Sequence, residues 1–157
     1  MANNILDTKN DKGAKTTKNG ELLSTFKESN NKRTPIQTAL TRPLYEAIGQ
    51  CFLLLNGTTE EIPDSSDETK VIPRAVYEVR VVSSTSKLNI GTVLIVKIKG
   101  KSSILTEEEN RKMLLGVDKS KIVAFDDLSH WNFNNIEGLS ASNIRELDIT
   151  AQEAMKM

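Results

Sequence analysis

Residues 92–99, TVLIVKIK, constrain the fold more than any other stretch of the chain. They are rich in β-branched side chains, which pack well on a pleated surface and are held back in helices by their stiff χ1. Successive strand residues point to opposite faces, so Leu94, Val96 and Ile98 share one side while Val93, Ile95, Lys97 and Lys99 share the other. The first side is apolar throughout, and the second changes from apolar to basic along its length. Residues 75–83 carry the same alternation, with Tyr77, Val79 and Val81 on one face and Glu78 and Arg80 on the other. Two half-buried strands joined by a turn around residues 84–89 therefore anchor a mainly β fold.

Residues 44–55 (LYEAIGQCFLLL) admit two readings. Leu44, Ile48, Phe52 and Leu55 fall at helical spacing, whereas Gly49 and the following Asn56-Gly57 suggest a strand entering a turn, which we favour. Residues 58–70 are acidic and rich in turn formers (Pro63, Asp64, Ser65, Ser66, Asp67), as expected of an exposed loop between strands. Thr106 and Glu109 have the spacing of a capping box, acids fill the first turn, and Gly116 follows Arg111 and Lys112. That pattern predicts a short helix near 107–115, whose few apolar residues, Met113 and Leu114, suit a plug at one end of a sheet. KIVAF (121–125) reads as a strand and DLSHWNFNN (127–135) as a polar loop holding two aromatics. Residues 136–147 read as a last strand, or as a strand ending in a helical turn, and residues 150–157 as a frayed end. No internal repeat is present.

At 157 residues the chain has the size of one domain. Residues 1–34, mostly Asn, Lys, Thr, Gly and Asp, hold too few apolar groups to offset chain entropy by burial and read as a flexible polar tail. Residues 35–149 are left to build the core. Within the tail, Leu22, Leu23 and Phe26 could form one apolar turn that docks on a partner, or a nonspecific patch. The net charge is zero but unevenly spread: the tail holds seven Lys/Arg against four Asp/Glu, so the remainder is net −3. Inside that acidic remainder, residues 74–101 carry Arg74, Arg80, Lys87, Lys97, Lys99 and Lys101 against Glu78 alone.

Catalytic and metal chemistry find little support. Cys51 is the only cysteine and lies in an apolar run, so it reads as a buried thiol in a reducing, cytoplasmic setting. No run approaches the ~20 apolar residues that span a bilayer. One Cys and one His cannot make a four-ligand zinc site, and neither GxxxxGK[ST] nor GxGxxG occurs. Ser129 and His130 are sequence neighbours that a strand would point to opposite faces, and Asp126-Asp127 reads as a turn. A non-enzymatic protein without cofactor, metal or small-molecule substrate is expected.

The element order strand, acidic loop, strand, strand, short helix, strand, aromatic loop, strand is that of a five-stranded oligonucleotide/oligosaccharide-binding (OB) barrel with its helix between strands three and four. Ligands of that fold lie across strands two and three, flanked by the loops joining strands one to two and four to five. Single-stranded nucleic acid binding needs cations along a backbone track and rings on which bases stack. Lys97, Lys99 and Lys101, two apart, would form a row about 13 Å long. With Arg80 and Lys87 they are the candidate phosphate contacts, and Trp131 and Phe133 the candidate stacking rings; a solvated strand face and a capped barrel core are the plain alternatives.

The stretch AVYEVRVVSSTSKLNIGTVLIVKIKG, the capped helix after it and the ending KIVAFDDLSHWNFNNIEGLSASNI resemble OB-fold single-stranded-DNA-binding accessory proteins of Gram-positive conjugative plasmids, of the enterococcal pheromone-plasmid type. The resemblance covers about residues 44–147. It implies DNA binding during plasmid transfer or replication and self-association through a flexible tail, here residues 1–34 with Leu22, Leu23 and Phe26. The zero net charge and seven aromatics depart from strong generic single-strand binders and argue against tight or steeply salt-dependent binding. The competing expectation is a protein–protein adaptor that uses the tail.

Overall fold

The computed structural model describes residues 35–157; the tail and the candidate residues Leu22, Leu23 and Phe26 lie outside them. The elements run α1 (Pro35–Ile48), β1 (Phe52–Pro63), β2 (Val71–Val81), β3 (Val93–Lys99), α2 (Glu107–Leu114), β4 (Lys121–Asp126), β5 (Ser129–Phe133), β6 (Ile136–Ser140), β7 (Asn143–Leu147) and α3 (Ala151–Met155). The fold is mainly β, but among the described residues the five expected strands are seven and the one expected helix is three.

The seven strands form one sheet in the order β5-β6-β3-β2-β1-β4-β7. In a flat sheet the five strand spacings between β6 and β7 would hold them about 24 Å apart. Only Ala141 and Ser142 separate them along the chain, which spans at most about 11 Å. The sheet must therefore curl. Its closure is visible in two successive backbone bonds: Ala141 N donates to Lys97 O of β3 at 3.1 Å, and Ser142 N to Asp126 O of β4 at 2.9 Å.

Inside the curl lie Phe52 and Leu54 of β1, Ala75, Tyr77 and Val79 of β2, Val96 and Ile98 of β3, Val123 and Phe125 of β4, and Leu139 and Ile144. Tyr45 of α1 plugs this core, donating from its hydroxyl to Phe125 O at 2.5 Å and accepting from Leu128 N at 3.3 Å. Burial is the chief reason its phenol ionises well above the usual range. A second, smaller core forms on the other side of β4, where Ile122, Ala124 and Leu147 meet Cys51, Val82, Ala154 and Met157. Covered on both faces, β4 has no need of alternation, which explains the unbroken run KIVAF. Burial alone pushes the Cys51 thiol up to about 12.

Four segments depart from the sequence reading. Residues 44–48 belong to a helix that stops at Gly49, whose φ of 102° favours glycine and whose added Cβ would meet Ser83 Cβ at 2.8 Å. The strand begins only at Phe52, so Asn56-Gly57 sits mid-strand, opposite Glu78 and Tyr77. Residues 58–63, expected in a loop, continue β1 against β2. Residues 129–140, expected as a polar loop and strand, form the β5–β6 hairpin, with Asn134 and Asn135 at φ 50° and 64° as its two-residue turn. The end expected to fray is α3, capped by Thr150 and Glu153, with Ala154 and Met157 buried. The helix read from Thr106 and Glu109 forms at Glu107–Leu114 with both capping-box bonds in place and none of its residues buried.

Candidate nucleic-acid interface

The outer face of the sheet is built by register. β2 and β3 pair Arg74 with Lys99, Val76 with Lys97, Glu78 with Ile95 and Arg80 with Val93. Lys97 lies beside Ser140 of the parallel strand β6, and β6 pairs Ser140, Gly138 and Ile136 with Ser129, Trp131 and Phe133 of β5. Paired residues share a face, so Arg80, Lys97, Lys99, Trp131 and Phe133 all project from the same side of the sheet. Trp131 stands about 10 Å across and one rung along from Lys97.

Lys101 and Lys87 do not join that face. β3 ends at Lys99, Gly100 turns the chain, and Lys101 Nζ donates to Asn143 Oδ1 at 3.1 Å. The expected row of three lysines is therefore a row of two. Lys87 lies in the β2–β3 loop, where its backbone N donates to Ala47 O at 2.7 Å. That loop follows Arg80, about 20 Å along the sheet from Lys99.

The cationic end is tempered by acids from β1 and its turn. Glu60, expected in a loop, stands opposite Arg74, is ion-paired and hydrogen-bonded to it, and lies 3.9 Å from Lys97 Nζ. Asp64 has a carboxyl held below its ordinary range, first by the Ser66 backbone N–H and hydroxyl and then by the nearby charge of Lys99. Arg80, at the far end, donates from Nη1 to Gly91 O at 3.2 Å. Nothing in the sequence revealed the Glu60–Arg74–Lys97 group, because it depends on the register of three strands.

The apolar end is better formed. Trp131 lies close against Gly138: a Cβ added there would meet the indole Cε2 at 2.7 Å and Nε1 at 3.0 Å. The ring nevertheless remains 40% exposed, Phe133 71% and Ile136 63%. β3 and β6 pair only at Val96 and Lys97, so ahead of that point the strands part. The opening is a groove of about 390 Å³ lined by Val93, Ile95 and Leu139, with Leu44 and Ile48 of α1 and with His130 and Glu137, and neither Trp131 nor Phe133 lines it. His130 and Glu137 project from the opposite face of the hairpin to Trp131 and meet at 2.8 Å. Among the described residues no group of three His, Cys, Asp or Glu side chains stands together, and no helix is long and apolar enough to cross a membrane.

No protein-family model and no curated protein matches the chain. Among solved structures, the OB domain of Ta0387 from Thermoplasma acidophilum, determined in solution by NMR, is similar over 64% of this chain and 74% of that one. Sequence identity is 14% and the TM-score 0.36.

Proposed function

We propose that this chain is an OB-type module that binds single-stranded nucleic acid, non-enzymatically and without sequence preference, across the outer face of β2, β3 and the β5–β6 hairpin. The topology supports the OB reading: with β6 and β7 taken as two halves of one closing strand and β5 as its hairpin extension, five principal strands remain, with α2 between the third and fourth. The observation that carries the functional reading is the common face of Lys97, Lys99, Trp131 and Phe133. Phosphates would lie along Lys97, Lys99 and Arg74, and bases on Trp131 and Phe133. Glu60 and Asp64 weaken the cationic end, so the stacking end supplies most of the affinity. The sequence resemblance points to single-stranded DNA during conjugative plasmid transfer, in the cytoplasm, with residues 1–34 linking copies along the strand.

Trp131 is the only tryptophan, so its fluorescence reports on the site alone. Titration with an oligothymidylate should quench it. Trp131→Ala, followed by fluorescence polarisation of a labelled oligonucleotide, should lose about 1–3 kcal/mol, or roughly 5- to 150-fold in affinity. Lys97→Ala and Lys99→Ala should each flatten the salt dependence by up to about 0.7 in log–log slope. No binding at low salt, or a Trp131→Ala protein that binds like the parent, would sink the reading.

A further inference from the structure

The free edges of the sheet differ in how they are protected. A bare strand edge offers unpaired N–H and C=O groups to another chain, and proteins blunt such edges with charges, proline, bulges or cover. The part of β1 beyond its pairing with β4 carries Glu60, Glu61 and Pro63, and Asn110 of α2 holds both the N–H and the C=O of Gly57 at 3.0 and 2.7 Å. β7, at one end of the order, carries Arg145 and Glu146. β5, at the other end, has the sequence Ser-His-Trp-Asn-Phe, with no Asp, Glu, Lys, Arg or Pro and no register shift against β6.

The hairpin turn fixes which groups of β5 point outward. A two-residue turn makes Phe133 and Ile136 a hydrogen-bonded pair, and such pairs recur at every second residue. Ser129, Trp131 and Phe133 therefore turn their backbone groups toward β6, and His130 and Asn132 turn theirs away from it, with α1 lying beside the strand at its His130 end. One antiparallel register brings both outward residues of one copy against both of another: His130 opposite Asn132, with Trp131 facing itself across a twofold axis. Each His130–Asn132 pair would exchange two bonds, four in all. The central Trp131 pair would be of the non-hydrogen-bonded kind, in which side chains approach most closely. No formal charge lies along the edge to oppose the approach.

We propose that β5 pairs antiparallel with β5 of a second copy of this chain. A twofold axis perpendicular to the sheet keeps the outer faces on the same side, so two Trp131 rings flanked by two Phe133 rings become one platform. Each copy then contributes stacking rings to a site that extends over both. The shared platform rests on the nucleic-acid reading above, whereas the strand pairing does not.

Light scattering of the full chain without nucleic acid tests the pairing. The parent should pass from monomer to dimer as concentration rises. Asn132→Pro removes an outward N–H that β6 does not use, and proline is tolerated on edge strands, so this variant should remain monomeric with an unchanged thermal transition. Replacing Leu22, Leu23 and Phe26 together by Ala should leave the dimer in place. Should Asn132→Pro fail to fold, amide exchange on the parent decides: the His130 and Asn132 amides should slow as concentration rises. A parent that stays monomeric, a folded Asn132→Pro that still dimerises, or exchange at these amides that ignores concentration overturns the pairing. A short oligonucleotide, added at concentrations where the protein is monomeric, tests the nucleic-acid reading alone. Its failure to bind would leave the dimer standing, and dimer failure would leave oligonucleotide binding standing.

Discussion

Tyr77 and Trp131 occupy the same local arrangement and are put to opposite uses. Each is a strand aromatic directly opposite a glycine on an antiparallel neighbour, Tyr77 facing Gly57 and Trp131 facing Gly138. In both, the missing Cβ lets the ring lie against the neighbouring backbone; at Gly57 an added Cβ would meet Tyr77 Cδ1 at 2.9 Å. Tyr77, on a central strand, is then covered: it is 1% exposed, its ring centroid is 6.1 Å from that of Phe125, and its hydroxyl accepts from Ile104 N at 3.0 Å. Trp131, on an edge strand, keeps 40% of its surface in solvent. An aromatic–glycine pair thus contributes cohesion where the curl of the sheet covers it and presents a flat ring where the sheet ends.

The widest separation between the two pairs is expected on removing the rings. Tyr77→Ala should cost about 3–5 kcal/mol, because a large ring and a satisfied hydroxyl leave a closed core. Trp131→Ala removes a cross-strand contact worth roughly 0.2–1 kcal/mol and should barely move the thermal transition while it weakens oligonucleotide binding. Equal losses of stability in the two variants would break the comparison. Gly57→Ala comes next. Its Cβ would also meet Ser103 Oγ at 2.6 Å, in a place where neither neighbour can move freely, so chemical denaturation should report about 1–3 kcal/mol of overpacking.

The sequence made the buried pair half legible and the exposed pair hardly at all. Tyr77 stood out through the period-two alternation of residues 75–83, and burial followed from it. Gly57 did not, because Asn56-Gly57 is a strong turn signal; here β2 lies alongside the whole of β1, and tertiary pairing overrode the local preference. The polar residues of 58–63 misled for a related reason, since that part of β1 runs on beyond the core and needs few apolar side chains. Lys97, Lys99, Trp131 and Phe133 were legible as residue types suited to nucleic acid. Their common face was not, since it depends on the parallel pairing of β3 with β6, between residues more than forty positions apart. The two capping boxes, Thr106 with Glu109 and Thr150 with Glu153, are equally formed, yet only the first was read. The second stands at the chain end, where fraying is the usual expectation.

The smallest expected effect, and the one most specific to the exposed pair, belongs to Gly138→Ala. Its Cβ would enter the space of the indole, but this ring borders solvent and can swing outward, as the Tyr77 ring cannot. Gly138 lies outside the left-handed region of backbone conformation, so its backbone accepts alanine without strain, and the substitution gains about 0.4–1 kcal/mol by restricting the unfolded chain. That gain offsets the lost ring–backbone contact, and the thermal transition should move by less than about 1 kcal/mol equivalent in either direction. Two readouts should still change. The Trp131 emission maximum should move to the red as the ring leaves the backbone for water, and oligonucleotide affinity should fall by less than in Trp131→Ala, because the ring remains but is no longer held against the neighbouring strand. A Gly138→Ala protein as destabilised as Gly57→Ala would mean that the exposed ring is held as firmly as the buried one, and the distinction between cohesion and presentation would fail at the residue that defines it.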